Sequence, residues 1–590
     1  MSNSETANLK LRRDFFSEIY ERYELYINLL MKMHAASPNE NYAIEALQAA
    51  ERSRARSMLE NLALAEADFT KDAPPEIVKR EKEILVLLNA KSDKLTALLS
   101  GNTEKGETDK LDYEINDLNN ELENIKADLK QNSPLYSAIK NPAPFDVGAF
   151  QRDVLDENSL LLEFSFGADA SYLWLVGKNF VESYILPPRE QIESRIENLR
   201  KLLDSRGMLK DESIEDYQAR IAAAETEFAR ESQIFSRELL GQVADKIKDK
   251  RLIIVPDGKL HYFPIAALPF PDSPDNTPIL LTNETIYEPS AATLALLMRN
   301  GQKSFAAPKN LLVFSDPIFS SQDARMTTDQ TVNETRPADS LLPAENFRFA
   351  ESLTSLVRLN ASKEEADAIV QIVGASESTT LDGAAATREN ALDASLADYK
   401  IIHFATHGLV NEERPELSGI VLSQVDENGQ PRNGVVRLHD IYEMNLSADA
   451  VVLSACSTGI GKEVKGEGLL SLKNAFLQVG AKSVVSSLWK VDDYAAQELM
   501  KNFYRELVSG NTTTSEAMRR AQISLRQNPQ YQSPFYWAAF TVEGDFRNVP
   551  KLAADSDNRF YGFLIFPFAL TAFMVYRRFK LLNRKTVSQN

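Results

Sequence analysis

A single cysteine, Cys456, stands among 590 residues, closing the apolar run Val451-Val452-Leu453-Ser454-Ala455 and preceding Ser457-Thr458-Gly459. A thiol near pH 7 is mostly protonated, so a nucleophilic cysteine needs a base or a positive charge beside it. The chain offers five histidines: His34, His261, His403, His407 and His439. His407 ends the run YKIIHFATH as Cys456 ends its own, and glycine follows each closely, at Gly408 and Gly459. An imidazole that takes the thiol proton and hands it to a leaving amine is acid–base chemistry for acyl transfer. Backbone N–H groups of Gly408 and Cys456 are natural donors to the oxyanion such a reaction creates. Taken alone, a cysteine such as Cys456 is more often a small buried apolar residue than a nucleophile.

Two other chemistries fail on residue type. The pair His403/His407 in HFATH lacks the glutamate of a helical zinc motif and lies in a strand-like run. CSTGIGKE has Cys456 where a phosphate-binding loop needs its first glycine, and Glu463 where that loop needs serine or threonine. No metal or other cofactor is expected.

The elements that must hold these residues alternate. NLLVFSDP, YKIIHFATHG, AVVLSACSTG, AKSVVSSLW and YWAAFTVEG are strand-like, with helical stretches between them at 362–373, 469–480, 492–508 and 515–527. Earlier, SLLLEFSFG, SYLWLVG, VESYILP and RLIIVPDG are also strands, with helical stretches at 189–205 and 214–249. This order predicts an α/β fold, a mainly parallel sheet covered by helices on both faces, with chemistry at the carboxyl ends of its strands.

Five segments follow. Residues 1–70 read as tetratricopeptide-like helices, and 71–150 as a helical hairpin. Its second arm places Leu111, Ile115, Leu118, Leu122, Ile125 and Leu129 at coiled-coil spacing, facing Ile77, Ile84, Leu88, Leu95 and Leu98. Residues 151–346 form a first sheet half ending in a polar surface loop, 318–346. Residues 347–548 form the half that carries His407 and Cys456. In the tail, 549–590, the 17 uncharged residues 560–576 precede Arg577 and Arg578. As a helix they would span about 25 Å, enough for a membrane core. A single-pass C-terminal anchor is therefore expected. The basic tail by the positive-inside rule would put the catalytic part outside, whereas a tail-anchored arrangement, the reading preferred here, keeps it cytoplasmic. No secretory signal is visible at the N-terminus.

The balance of 66 basic against 85 acidic residues gives a net charge of −19, which argues against a nucleic-acid partner. One cysteine excludes an intrachain disulfide and a Cys-rich metal cluster.

HFATHG, LSACSTG, GEG at 466–468, VVSSLWKVDD and SPFYWAAFTVEGD, in this order, resemble the CHAT peptidase family, relatives of caspases and separases. AERSRARSMLE, SYLW and VPDGKLHYFPIAAL resemble what precedes that domain in its members. The 49 positions from 407 to 456 (456 − 407) match the histidine-to-cysteine interval of caspases. The glycine after the nucleophile comes one residue later than in the caspase pattern. The resemblance implies a caspase-like fold with a degenerate first half (151–346), His407 as base, Cys456 as nucleophile, and cleavage of protein substrates. His403 is expected to be structural, a wall of the substrate pocket. Asp493 matches the pocket aspartate of separase-like members, which receives a basic side chain. Asp492 is the other candidate, with a helix cap as its alternative role. The N-terminal helices and the hairpin are expected to bind a protein regulator. The rival expectation is a catalytically silent interaction scaffold tethered to the membrane.

Overall fold

The computed structural model describes residues 22–54, 75–99, 105–131, 145–207, 209, 212–301, 307–326, 356–409, 417–454, 462–464, 468–510 and 512–552. Its strands are β1 (Ser159–Ser165), β2 (Ser171–Gly177), β3 (Phe180–Leu186), β4 (Arg251–Val255), β5 (Glu284–Tyr287), β6 (Lys309–Ser315), β7 (Ser378–Asp382) and β8 (Tyr399–Ala405). They continue with β9 (His407–Leu409), β10 (Gly419–Val421), β11 (Val435–Arg437), β12 (Ala450–Leu453), β13 (Lys462–Val464), β14 (Gly468–Leu470), β15 (Ser483–Ser487) and β16 (Phe540–Gly544).

Eleven strands join into one sheet, in the order β3-β2-β1-β4-β5-β16-β15-β12-β8-β6-β7. Pairing is antiparallel at β1–β2, β2–β3 and β15–β16, and parallel at the other neighbours. The antiparallel seam between β15 and β16 matters most. It reverses strand direction, so β15, β12, β8, β6 and β7 all run one way and end at one edge. The expected mainly parallel sheet is present, and β6, drawn from the segment before residue 346, belongs to the half that holds His407.

Alternation along each strand divides the core. Ile401 and Val452 face the cluster built with the helices Asn360–Val373 and Asp493–Val508; Ile402, Val451 and Leu453 face the cluster around Leu472–Gln478. In the first half the same period sends Leu252 and Ile254 to one side and Ile253 and Val255 to the other. That second side is covered by the helices at 22–36 and Tyr42–Arg52, through Ile27, Leu30, Met31, Ala46 and Leu47. Burial on both faces is why these strands read as continuous apolar runs.

The hairpin arms are Pro75–Leu99 and Lys105–Gln131. Their seam buries Ile84, Leu88 and Leu95 against Leu111, Ile115, Leu118 and Leu122, as the spacing predicted, and Leu417 packs into the same cluster.

The membrane expectation is corrected. Among the described residues no helix is long and apolar enough to cross a membrane. Neither the C-terminal transmembrane helix in the expected fold class nor a single-pass membrane location is supported. The apolar stretch 560–576 that prompted both lies outside the described residues.

Candidate active site

Four neighbouring parallel strands deliver their carboxyl ends side by side. In one row across the sheet, Ser486 pairs with Leu453, Leu453 with Phe404 and Phe404 with Phe314. Beyond that row come Leu488–Asp493 after β15, His407 after β8 and Asp316 after β6, while in sequence Cys456 follows β12. His407 and Cys456 are each three positions past the paired residues Phe404 and Leu453 (407 − 404 and 456 − 453). Cys456 itself lies outside the described residues, as do 466–467 of the GEG motif.

The chain does not run straight from β8 through His407. Thr406 interrupts the strand, its hydroxyl donating to the Val421 carbonyl. His407, Gly408 and Leu409 then join a separate three-stranded sheet, facing Val421, Ile420 and Gly419 of β10. Gly408, the expected oxyanion donor, therefore sits in this small ladder opposite Ile420. Leu417, the hairpin's contact, lies two residues before β10 and accepts a hydrogen bond from Arg437 Nη1 at 3.0 Å. The hairpin thus reaches the sheet that carries the histidine.

His407 is half-buried. Its Nε2–H donates to the Val357 carbonyl at 2.8 Å, and its ring lies 5.1 Å from the Phe319 ring, tilted by 52°. A carbonyl only accepts, so Nε2 carries the proton and Nδ1 is the basic nitrogen of the neutral ring. Among the described residues Nδ1 has no hydrogen-bond partner. Burial lowers the His407 pKa below its ordinary value, the Lys490 charge lowers it further, and the Val357 bond acts against both. The ring is thereby held neutral at pH 7, the state a general base requires.

His403, four residues earlier, has no exposed surface. It bonds the Tyr504 hydroxyl through Nδ1 at 3.0 Å and Glu365 Oε1 through Nε2 at 2.8 Å. Burial, with help from Glu365, raises the Tyr504 phenol well above its ordinary range. With both nitrogens engaged in the core, His403 presents nothing to a substrate, and the break at Thr406 separates its strand from that of His407. It fastens the sheet to two helices.

Asp492 caps the helix Asp493–Val508, its carboxylate accepting from the Ala495 amide at 3.0 Å. Asp493 begins that helix and is exposed. Its carboxyl still lies close enough to protein for desolvation to raise its pKa; Asp492 adds to the rise and Lys490 opposes it. Lys490 is thus a shared electrostatic neighbour of Asp493 and His407. Residue-type reasoning did not single out Val357, Phe319 or Lys490. The first two come from loops and contribute a carbonyl and an apolar ring, and neither leaves a motif.

Residues 230–545 match the CHAT domain family, 316 residues (545 − 230 + 1) of the 590. Tetratricopeptide repeat protein 28 of Mus musculus is 28% identical over 218 residues, 31% of this chain. The matched part spans 8% of that relative's length. Among solved structures, the Saccharomyces cerevisiae separase–securin complex aligns with a TM-score of 0.44 at 10% identity, covering 67% of this chain and 30% of the other. The complex of pro- and mature domains of Porphyromonas gingivalis RgpB aligns at 0.34 and 9% identity, covering 62% of this chain and 79% of the other. With the match covering more than half of its length, the chain belongs to the CHAT domain family.

Proposed function

We propose that this chain is a cysteine endopeptidase whose catalytic pair is Cys456 and His407. One observation carries the reading: β8 and β12 are paired parallel strands in which Phe404 meets Leu453, three positions in sequence before His407 and Cys456 respectively. Adjacent strands lie about 4.8 Å apart, so segments that leave neighbouring strand ends at one sheet edge can bring their side chains within reach of proton transfer. The neutral, Nε2-protonated His407 supports a general-base role: Nδ1 takes the thiol proton as sulfur attacks the scissile carbonyl. The resulting imidazolium protonates the leaving amine, and water then hydrolyses the acyl-enzyme. Backbone amides of Gly408 and Cys456 stabilise the oxyanion. Asp493 favours a lysine or arginine side chain just before the cut bond, its carboxylate pairing with the cation. No metal or cofactor takes part.

The first sheet half (151–346 apart from β6) supplies support without catalytic residues, and the N-terminal helices bind a protein regulator. Leu25, Leu29 and Met33, at intervals of four, and Tyr26 beside them are large apolar residues exposed on the helix 22–36, a surface suited to a protein partner. The test is cleavage of a peptide library by the purified chain. Cys456→Ala and His407→Ala should each lower kcat/KM by on the order of 10³-fold or more, and Asp493→Asn should weaken the preference for a basic residue. A Cys456→Ala protein that still cuts would sink the assignment.

A further inference from the structure

The segment that holds the Val357 carbonyl against His407 is clasped by an ion pair next to it in sequence. Asp316 is the first residue past β6, where Ser315 pairs with Ala405 of β8. It adopts a left-handed backbone conformation (φ 45°), which aspartate tolerates better than most residues. That turn sends the chain toward Phe319, which lies on the His407 ring. The Asp316 side chain, 4% exposed, receives a two-pronged grip from Arg358: Nε to Oδ1 at 2.9 Å and Nη2 to Oδ2 at 2.8 Å. Arg325 Nη1 lies 2.8 Å from the same carboxylate and from the Asp316 carbonyl. The Asp316 amide donates to Ser362 Oγ at 3.0 Å, tying the turn to the start of the helix Asn360–Val373. Arg358 is the residue immediately after Val357.

From this juxtaposition we infer that Asp316 and Arg358 are positioning residues for the His407 base. The inference rests on the dyad proposed above and adds how its histidine is aimed. A planar guanidinium bound at two points fixes position and direction together. The grip therefore fixes the Val357 carbonyl in the orientation that accepts from Nε2–H. The same aspartate, through its backbone turn, places Phe319 against the ring. Carbonyl and phenyl together define the imidazole's rotation and keep Nδ1 directed away from them. Neither charged residue touches the reacting atoms.

The experiment is the rate of Cys456 alkylation by iodoacetamide, measured from pH 4.5 to 9 on the full chain and scaled to the folded fraction from thermal unfolding. His407→Ala removes the base, so the histidine-dependent acid limb should vanish. Arg358→Gln and Asp316→Asn should keep that limb and lower the plateau above it roughly tenfold, because the histidine is present but misaimed. Arg358→Lys, able to make only a single-point contact, should fall between. Arg251→Gln, which removes an ion pair to Glu284 in the first half of the sheet, should leave the plateau unchanged. An unchanged plateau in both Arg358→Gln and Asp316→Asn would overturn the positioning role while leaving the dyad intact. So would an equal loss in Arg251→Gln, since general loosening would then explain the effect. A wild-type profile identical to that of His407→Ala would remove the dyad, and the positioning role with it.

Discussion

Two strand ends in this molecule use the same device to opposite effect. β4 and β8 each lead into a polar residue followed by glycine, Asp257-Gly258 and His407-Gly408. At β4 the polar group is locked. Burial would raise the Asp257 pKa, but Arg54, Arg189 and the Phe166 amide outweigh it and hold the carboxylate ionised. Its oxygens accept from the Phe166 and Gly258 amides at 2.5 and 3.0 Å. Gly258 has φ +54°, and a Cβ there would meet Glu193 Oε1 at 2.3 Å, so this position favours glycine. At β8 one imidazole nitrogen is anchored and the other has no hydrogen-bond partner among the described residues. The difference lies in what arrives from elsewhere in the chain: two guanidiniums at Asp257, one carbonyl at His407. His403 makes the same point within β8 itself, since two bonded nitrogens make a fastening rather than a base.

If the β4 end is a lock, breaking it should cost stability. Arg54 also donates to the Pro256 carbonyl at 3.0 Å and to that of Phe164. Arg54→Ala should destabilise the fold by about 3–5 kcal/mol, because it leaves a buried carboxylate short of a partner. Chemical denaturation measures this, and a loss below about 1 kcal/mol would show the cluster to be ornamental.

His261, beside that cluster, sharpens the contrast by pH. Burial, with Lys473 adding, lowers its pKa to about 3. The native state then refuses a proton that the unfolded chain accepts below about pH 6.5, so stability falls as pH drops through that window. His261→Gln should flatten the decline in melting temperature between pH 6.5 and 4. An identical slope would mean that the histidine is protonated in the fold.

The smallest expected effect separates two neighbouring carboxylates. Asp492→Ala should cost about 1 kcal/mol through loss of the helix cap and leave cleavage preference unchanged, whereas Asp493→Asn should do the reverse. A changed cleavage profile in Asp492→Ala would contradict the division of roles.

The long strands were legible because burial on both faces leaves apolar runs such as RLIIV and AVVL. The hairpin seam was legible because Leu111, Ile115, Leu118 and Leu122 keep coiled-coil spacing. His407 was singled out as the end of an apolar run, and it follows β8 across the break at Thr406; Cys456, singled out in the same way, lies outside the described residues. The small sheet β9–β11 was not, since three-residue strands carry no periodicity. Nor were the short strands Glu284–Tyr287 and Ser378–Asp382, whose polar residues mask a sheet role. The break at Thr406 was also hidden, so His403 seemed to share a wall with His407. Asp316 and Arg358 meet across 42 positions (358 − 316) through loop residues that carry no periodic signal.

The most direct test of the account is the pH dependence of Cys456 reactivity in the wild-type chain and in His407→Ala. A free thiol of pKa about 8.5 is only a few per cent ionised at pH 7. The account predicts fast alkylation of the wild type at pH 7, falling off only below pH 6.5 as His407 gains its proton. In His407→Ala the rate at pH 7 should be at least tenfold lower and should rise only toward pH 8.5. Superimposable profiles for the two proteins would contradict it.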